Sequence, residues 1–531
     1  MTENIYDVVV IGAGQNGLMA AATAADEGLK TLVVDRNDIV GGMCTTEEIP
    51  GMPKGFKFNM GAMSPGMICN NPKYIELGIE EKYGLEWFYP SDEDPLWTYL
   101  FPDGTYWHIY KDLKGKTAAE IERVAGKRDA DAWREFCDYF GSMFEIMDAI
   151  MYSEAMTLDE MMALLGSGGG MELGPEMAEF ARYLFMSADQ LLDEWFDSDY
   201  IKGPLLKASK TMGNAGYDQC SGIWAAEILG IASWRHVKGG SGELPNALAR
   251  CARDKGAEIR LGVEMEEVLV DNGKVNGIRL STGEVIRCKS IVSTLDAKRL
   301  FTKNVDSNLL EPKFERRLKA LRDTSMSLFV LHAAVDGIPN FAEKYPGIDN
   351  VKAAASNIVY SEGERYNDFF EADMAHGRLP KGPVAWIYMP SVEQPSLAPE
   401  GKHCLTMASY TPVEFENGGG FTPELKKQCE QIYLEQLYAI APSLRDQITD
   451  VYCESYEDLC KRCGGPNGNT MGIDMNLSQL FMFRPLPELA KSVTPIDGLF
   501  LGGNDVWPFG AVSGVQGYHG AEKAVEYVKG E

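Results

Sequence analysis

Three glycines follow the first apolar run of the chain at a regular spacing. Val8 to Ile11 predicts a buried strand, and Leu18 to Glu27 predicts a helix without a breaker. Between these two elements lie Gly12, Gly14 and Gly17. In a turn of this kind the first glycine makes the tight bend, the second lets the backbone approach a pyrophosphate, and the third lets the helix pack on the strand. Phosphates would then lie at a helix N-terminus, where N–H groups and the helix dipole favour negative charge.

An acidic residue lies at the distance from these glycines that ribose recognition requires. Lys30 to Val34 predicts a second parallel strand, and Asp35 ends it about 20 residues after the glycines. Its carboxylate can accept hydrogen bonds from an adenosine ribose. The turn, the helix and the acid together predict a dinucleotide site.

A second glycine pair indicates which dinucleotide binds. Gly41 and Gly42 follow shortly after Asp35, and an extended flavin dinucleotide needs such a further close approach of the backbone. Arg36 alone is also compatible with the 2′-phosphate of NADP. We expect FAD, held by Arg36, Gly41, Gly42 and Met43, with Gly61 as a point of close approach to the flavin ring.

Length and charge set the class of the protein. A chain of 531 residues with 45% hydrophobic residues predicts two or three globular domains. The net charge of −28 argues against nucleic acid and anionic membrane surfaces as partners. No run of eighteen apolar residues and no signal peptide are recognised, so we expect a cytoplasmic protein without an integral membrane segment. The expected partner is a hydrophobic or cyclic small molecule, and a homo-oligomer stays open.

The eleven cysteines do not predict a disulfide framework. Cys460 and Cys463 form one C-x-x-C pair that half a metal site or a redox pair would also contain, but no second pair exists. Incidental or structural thiols are the favoured interpretation, and no metal site is predicted.

Two stretches away from the glycine turns have clear patterns. From Ala118 to about Asp199 the pattern is helical and rich in methionine, with an interrupting loop at Ser167 to Gly170. These methionines fit either core packing or an entrance cap for an apolar ligand. Residues 300 to about 460 alternate short strands with helices such as Pro423 to Ala441, which predicts a sheet-based substrate domain.

Five motifs are shared with a known family. They are Gly12-x-Gly14-x-x-Gly17, Gly41-Gly42, Lys238-Gly239-Gly240 with its helix, Gln479-Leu-Phe-Met-Phe-Arg484-Pro485, and Thr494-Pro-Ile-Asp-Gly498-Leu-Phe-Leu-Gly502-Gly503. The chain resembles the phytoene-desaturase-like flavoproteins, which include carotenoid isomerases and pyridine nucleotide-disulfide oxidoreductase domain-containing relatives. The resemblance covers both ends of the chain and a return near its middle.

The resemblance implies an α/β fold in which a Rossmann-type FAD-binding domain is assembled from discontinuous segments. An α+β substrate domain with a helical cap is inserted between them. The implied FAD-binding segments are residues 1–85, 236–300 and 464–531. The implied substrate segments are residues 86–235, which contain the cap, and residues 301–463.

The resemblance also implies ligands to the cofactor. Gly12, Gly14 and Gly17 would meet the pyrophosphate and Asp35 the ribose, as the glycine spacing also predicts, and the backbone at Val263 would meet the adenine. Gly503, Asn504 and Asp505 would line the pyrophosphate and ribityl chain, and Gly514 and Val515 would present amides to the flavin C2 carbonyl. The dipole of the final helix would then stabilise the charge that builds on a reduced flavin.

The sequence offers fewer candidates for the catalytic residues than for the cofactor ligands. The family commonly has a histidine and a glycine where this chain has Trp507 and Phe509, which predicts a narrower pocket and a small cyclic substrate. His236 is the candidate base and Arg235 the candidate ligand for a carboxylate or enolate, although a lone histidine is also common as a packed residue.

Three functions stay open. The first is an FAD-dependent carbon–carbon desaturase, or the reverse saturase, that moves a hydride between substrate and flavin N5. The second is a redox-neutral isomerase that uses reduced flavin. The third is a flavin-bearing interaction protein without turnover.

Overall fold

The computed structural model describes residues 5–157, 159–160, 179, 182–211, 221–233, 235–324 and 327–530. The loop predicted at Ser167 to Gly170 and part of the methionine-rich segment lie outside the described residues. Within the described residues, no helix combines the length and the apolar character needed to span a bilayer.

The strands, in chain order, are β1 (Tyr6–Ile11), β2 (Thr31–Val34), β3 (Thr46–Glu47), β4 (Phe58–Asn59), β5 (Trp87–Phe88), β6 (Trp97–Leu100), β7 (Tyr106–Ile109), β8 (His236–Val237), β9 (Glu258–Arg260), β10 (Met265–Asp271), β11 (Lys274–Leu280), β12 (Val285–Ser293), β13 (Leu328–Asp336), β14 (Asn357–Tyr360), β15 (Trp386–Tyr388), β16 (Lys402–Tyr410), β17 (Ile448–Glu454) and β18 (Leu499–Leu501).

The α-helices are α1 (Gln15–Asp26), α2 (Pro72–Leu77), α3 (Ile79–Tyr83), α4 (Ala118–Ala125), α5 (Lys127–Met151), α6 (Ala188–Trp195), α7 (Asp199–Thr211), α8 (Glu243–Asp254), α9 (Ala297–Arg299), α10 (Pro312–Lys319), α11 (Asn350–Ala355), α12 (Glu364–Ala375), α13 (Pro423–Ile440), α14 (Leu444–Gln447), α15 (Tyr456–Cys463) and α16 (Val515–Lys529).

Sheet A contains strands from three separated parts of the chain. Its order is β10-β11-β12-β1-β2-β9, and β18 pairs with β12. The central strands β12, β1 and β2 are parallel, and the apolar residues of β1 are buried as expected for a strand covered on both faces. Helix α1 packs between α8 and α16. The Rossmann-type assembly from discontinuous segments is therefore confirmed.

Sheet B forms the inserted α+β part. Its order is β17-β13-β16-β15-β14-β6-β7, and every neighbouring pair is antiparallel except β14 and β6. One hydrophobic cluster joins this sheet to α13, and another joins it to helices α4 to α7. These four helices occupy the position of the predicted cap.

A two-residue pairing joins the places where the chain passes between the two parts. Trp87 pairs with Val237 and Phe88 with His236. The first crossing therefore lies next to the second, close to the predicted boundaries at residues 85 and 235. All of the domain boundaries stay predictions.

Candidate active site

A cavity of about 430 Å³, the large cavity, has walls from both sheets. It brings together residues that lie up to about 500 positions apart in the chain. The predicted cofactor ligands that line it are Gly12, Gly14, Gly17, Asp35, Arg36, Gly41, Gly42, Met43, Gly61, Val263, Gly503, Asn504 and Asp505. Thirteen of the fifteen predicted ligands therefore share one cavity.

The first glycine turn has the geometry that its spacing predicts. Gly12 has a φ of +102°, and a Cβ atom there would come within 2.1 Å of the Thr294 hydroxyl. A Cβ atom on Gly17 would come within 1.9 Å of the Gly12 carbonyl, so only glycine lets α1 lie this close to β1. A Cβ atom on Gly14 would meet nothing nearer than 3.9 Å. Gly14 therefore leaves open the space where a pyrophosphate would approach the uncapped start of α1.

The second glycine pair packs directly against the first turn. Gly41 has a φ of +126°, and its N–H donates to the Ala13 carbonyl at 2.8 Å. A Cβ atom on Gly42 would lie 3.5 Å from the Cα atom of Gly14. The two turns thus form a continuous wall of backbone, as an extended dinucleotide requires.

Asp35 orients the turn as well as facing the cavity. One carboxylate oxygen accepts from the Ala13 N–H at 2.6 Å, and the other accepts from the Asn37 N–H at 2.8 Å. The Asp35 carboxylate is therefore held by backbone donors on both sides. Each oxygen keeps a lone pair for a ribose hydroxyl.

Arg36 lines the cavity, but its guanidinium makes hydrogen bonds to main-chain carbonyl groups of the protein. It donates to the Cys460 carbonyl at 3.1 Å and to the Lys461 carbonyl at 2.6 Å, at the C-terminal end of α15. This cation therefore caps a helix whose dipole is negative there. The contact removes the reason for expecting a 2′-phosphate.

Gly61 and Val263 line the cavity as predicted, but each also has a structural role within the protein. A Cβ atom on Gly61 would come within 2.3 Å of the Met43 carbonyl, so the fold alone requires glycine there. The Val263 N–H donates to the Asp35 carbonyl at 2.8 Å. A contact with adenine would therefore have to use the Val263 carbonyl.

The loop after β18 presents polar groups to the cavity. The Asn16 amide donates to Asn504 Oδ1 at 2.8 Å, which ties this loop to the start of α1. Asp505 accepts from the Ala297 N–H at 2.6 Å through Oδ2. Its buried Oδ1 has no hydrogen-bond partner in the described part of the chain. An unused buried acceptor of this kind fits a hydroxyl donor, such as the ribityl chain of FAD.

The carboxyl groups of Asp296 and Asp505 are both buried, and they are close enough for the charge of one to affect the other. Burial and the neighbouring Asp505 raise the pKa of Asp296 to about 7. Burial also raises the pKa of Asp505, while the Ala297 N–H and Arg484 act in the opposite direction. Asp296 Oδ1 caps α9 by accepting from the Arg299 N–H at 2.7 Å.

Arg484 holds three loops around the cavity. Its guanidinium is fully buried and donates to the carbonyl groups of Gln479, Met471 and Asn504. Burial lowers its pKa to about 10, and Asp505 and Asp474 oppose that shift, so it carries its charge at neutral pH. In the sequence, this arginine stands out only as part of the motif from Gln479 to Pro485.

The C-terminal helix does not meet the cavity where predicted. Gly514 has a φ of +69°, and a Cβ atom there would touch Met19 and Ile68 rather than open space. Val515 is 1% exposed, and neither residue lines the cavity. The wall is formed two to four positions earlier, by Ala511 and Val512. The contact of the Gly514 and Val515 amides with a flavin stays a prediction.

Arg235, His236 and Trp507 are the three residues proposed from the sequence for the catalytic site, and none of them lines the large cavity. Trp507 is buried, donates to the Ser153 carbonyl at 3.1 Å and packs edge-on against Phe481. It therefore fills a core beside α5, as Phe509 also does, and it does not narrow the pocket.

His236 is buried in β8, where Nδ1 lies 2.9 Å from Glu393 Oε2. The Arg235 guanidinium lies over the Tyr89 ring, 5.2 Å from its centroid. Only the Arg235 carbonyl approaches the site, by accepting from the hydroxyl of Ser64, which lines the cavity. Both residues are therefore packing residues in this structure.

Sequence reasoning missed the wall that sheet B provides. Five residues of its strands line the cavity: Leu328, Asn357, Trp386, Ala408 and Tyr410. The Trp386 and Tyr410 rings meet edge to face with their centroids 5.4 Å apart. Their strands are separated in the chain, so no local spacing brings them together. The strand pattern predicts that a sheet forms here, but it does not predict which face of that sheet lines the cavity opposite the glycine turns.

Cys460 and Cys463 are free thiols at the end of α15, and burial raises the pKa of Cys463 to about 11. Among the described residues, no three His, Cys, Asp or Glu side chains are grouped as metal ligands would be.

Comparison with known proteins identifies the family. The model of the flavin-containing amine oxidoreductases matches residues 17–384, which is more than half of the chain. The chain belongs to this family. Members of this family are FAD-dependent oxidoreductases. The predicted cofactor, FAD, and the predicted enzyme class are therefore confirmed.

Individual relatives confirm the resemblance as well. The pyridine nucleotide-disulfide oxidoreductase domain-containing protein 2 of Rattus norvegicus is 28% identical over 97% of this chain and 92% of its own. The neurosporene-forming phytoene desaturase of Rhodobacter capsulatus is 25% identical over 97% and 93%. A limonene dehydrogenase component of Castellaniella defragrans is 24% identical over 98% and 94%.

Solved structures share the fold. Cyclohexylamine oxidase from Brevibacterium oxydans matches with a TM-score of 0.60 and 17% identity, over 99% of this chain and 100% of that one. At this identity the likeness concerns the fold alone.

Proposed function

We propose that this flavin-containing oxidoreductase is a carbon–carbon desaturase or saturase that acts on an apolar or cyclic small molecule. Two relatives that span almost the whole chain are named as a phytoene desaturase and as a subunit of a limonene dehydrogenase, which supports a dehydrogenation of an apolar molecule. The observation that carries the proposal is the division of the large cavity into a polar wall and an apolar wall.

The ionisable groups of the large cavity gather on the side of the glycine turns. They are Asp35, Arg36, Cys44, Glu264, Asp296, Arg299, Cys463 and Asp505. Among the described lining residues that sheet B contributes, Tyr410 is the sole titratable one. A molecule on that side would be held by shape and by contact with aromatic rings rather than by charge.

FAD, when bound, supplies a hydride acceptor or donor at N5. The residues of this chain hold that cofactor and shape the space beside it. We propose that Gly12, Gly14 and Gly17 meet its pyrophosphate, that Asp35 meets a ribose and that Asp505 Oδ1 accepts from the ribityl chain.

On the opposite side, Trp386 and Tyr410 would hold the substrate and exclude water. In the desaturating direction one substrate carbon would give a hydride to the flavin, the adjacent carbon would lose a proton that ends in bulk solvent outside the cavity, and a C=C bond would form between the two carbons. An apolar wall suits this reaction because a hydride is transferred most readily where water cannot compete.

The test begins with the absorption spectrum and the mass of the cofactor released from purified protein. The holoenzyme is then mixed, without oxygen, with cyclic alkanes and alkenes, polyenes and amines, and the visible flavin absorbance is followed. Bleaching by a hydrocarbon with formation of a C=C bond supports the proposal. Rearrangement of a double bond that requires pre-reduced flavin would instead support an isomerase, and bleaching by amines alone would reject both.

A further inference from the structure

Asn357 is a polar residue in the apolar wall of the large cavity. It is the first residue of β14, it lines this cavity, and only 6% of it is exposed. Its main chain is used by the sheet, because its N–H donates to the Leu96 carbonyl at 3.1 Å. Its side-chain amide makes no hydrogen bond to the residues that the structure describes. The amide is therefore left for a molecule that occupies the cavity.

The strand register places the Asn357 side chain on the face of sheet B that meets the cavity. Side chains two residues apart on a strand point to the same face, so Asn357 shares a face with Val359. Val359 lies opposite Trp386, and Trp386 lies opposite Ala408. Side chains that are paired in this way point to one side of a sheet. The Asn357 amide is therefore on the same side as the Trp386 ring, which also lines the cavity.

The polar side chains beside Asn357 in sheet B are bound to other groups. The hydroxyl groups of Thr98 and Ser356 lie 2.6 Å apart, and the Ser356 hydroxyl donates to the Ala353 carbonyl at 2.9 Å. An amide that is withdrawn from water without a hydrogen bond lowers stability, and buried polar groups without partners are rare. A polar group of a bound ligand would supply the missing partner.

We propose that the substrate carries one neutral oxygen, in a carbonyl or a hydroxyl group, and that this oxygen forms a hydrogen bond with the Asn357 side-chain amide. An amide has two N–H donors and one acceptor oxygen, so it can bind either group. The apolar body of the substrate then lies against Trp386 and Tyr410. This inference rests on the proposed function, because it takes the large cavity to be the substrate chamber.

The charges around the cavity favour a neutral group. Two cations, Arg36 and Arg299, belong to its described lining. Arg36 donates to carbonyl groups at the end of α15. Arg299 donates to the Gly464 carbonyl at 3.2 Å and lies 3.3 Å from Glu264. A carboxylate bound to Asn357 would therefore lie in an apolar wall without a counter-charge, which costs more than one hydrogen bond returns.

The test uses probes that differ in one group and that cannot form a new C=C bond. Acetophenone and α-methylstyrene differ by C=O against C=CH2, and phenol and toluene differ by OH against CH3. Benzoate supplies a carboxylate on the same ring. Each probe is titrated into the oxidised holoenzyme without oxygen, and flavin absorbance and tryptophan fluorescence report binding. Benzoate should bind the wild type more weakly than acetophenone does.

Two variants change the amide. Asn357→Leu removes every donor and acceptor of the side chain, and Asn357→Thr keeps a hydroxyl group. In Asn357→Leu, we expect the affinity for acetophenone and phenol to fall about tenfold, whereas the affinity for α-methylstyrene and toluene stays the same or rises. Asn357→Thr should lose less. The ligand-free Asn357→Leu protein should unfold at a higher temperature than the wild type, because it no longer buries an amide without a partner.

The matched control is Asn304→Leu. Asn304 is also buried, but its amide donates to the Glu266 carbonyl at 2.8 Å and it does not line the large cavity. We expect this variant to unfold at a lower temperature than the wild type and to bind all five probes as the wild type does.

A loss of affinity for acetophenone alone identifies a carbonyl, and a loss for phenol alone identifies a hydroxyl. The inference is overturned if Asn357→Leu weakens the hydrocarbons as much as the oxygenated probes, because the residue then only shapes the wall. It is also overturned if no affinity changes, or if the variant loses FAD, because the amide then serves water or the cofactor. Tighter binding of benzoate than of acetophenone would overturn the neutral charge of the group. None of these results depends on turnover, so flavin bleaching by a hydrocarbon tests the proposed function separately.

Discussion

The two walls of the large cavity are built by different means. The wall on the side of sheet A is backbone, in which Gly14 and Gly42 leave room that a side chain would fill. The wall on the side of sheet B is made of the rings of Trp386 and Tyr410. A backbone wall depends on the close approach of main chains, so it tolerates few changes. A side-chain wall can be altered without disturbing the main chain behind it.

The largest expected effect comes from filling the backbone wall. In Gly17→Ala the new Cβ atom would lie 1.9 Å from the Gly12 carbonyl, a backbone atom that cannot move aside cheaply. We expect loss of bound FAD and of most folded protein. The matched control is Gly141→Ala in α5, where a Cβ atom meets nothing within 4 Å. That change should stabilise the protein by about 0.5–1 kcal/mol. FAD content and thermal unfolding of both variants measure the contrast, and equal behaviour would contradict it.

The next largest effect concerns the residue that fixes the loops of the backbone wall. Arg484→Met removes a buried cation and leaves the carbonyl groups of Gln479 and Asn504 without their donor. We expect the free energy of unfolding to fall by about 3–5 kcal/mol and FAD to bind more weakly. Arg287→Met is the control, because Arg287 donates to the Asn276 side chain on a strand of sheet A at 3.0 Å. The control should lose less than about 1 kcal/mol; a similar loss in both variants would show that Arg484 has no special role.

A smaller and more selective effect is expected in the side-chain wall. Trp386→Ala should leave FAD bound, because the main chain of sheet A is untouched. It should weaken the binding of an apolar ligand by about 10–100-fold, since a large ring that the ligand covers contributes about 1.4–2.8 kcal/mol to binding. Phe369→Ala, at a ring that is 62% exposed, is the control and should change neither property. Loss of FAD from Trp386→Ala would erase the distinction between the two walls.

The smallest effect is a dependence of stability on pH. The pKa of Asp296 is raised from 3.8 to about 7 in the folded protein. Between those values the folded apoprotein holds a proton that the unfolded chain has released, so its stability falls as the pH rises towards 7. Asp296→Asn keeps an oxygen to cap α9 and should make the urea midpoint less dependent on pH in this range. Asp306→Asn, at an exposed turn, should follow the wild type. An unchanged slope in Asp296→Asn would assign the effect to other groups.

The difference between the backbone wall and the side-chain wall also explains which parts of the structure could be predicted from the sequence. The turn at Gly12 to Gly17 is local, and its glycines are required by contacts within the turn and with Thr294, so spacing alone predicts it. The strand ending at Tyr410 and the helix beginning at Pro423 also follow from local patterns. The discontinuous order of sheet A followed from the resemblance, because strand pairing between residues 8 and 290 has no local signal.

The site on sheet B could not be predicted in this way. Trp386 and Tyr410 meet only because β15 pairs with β16, and an aromatic residue on a strand is usually core. Trp507 was predicted to narrow the pocket because the family commonly has a histidine at its position, but its indole N–H donates to the Ser153 carbonyl instead. Motif position fixes the path of the main chain more reliably than the direction of a large side chain.

The most direct measurement follows an apolar cyclic compound and the flavin together, in the absence of oxygen. The compound has C–H bonds on two adjacent saturated carbons. We predict that the holoenzyme mixed with it loses its visible flavin absorbance and forms one C=C bond for each flavin reduced. Trp386→Ala, with its FAD intact, should do so more slowly. Bleaching without a new C=C bond, or purified protein that contains no FAD and cannot take it up, would contradict the central claim.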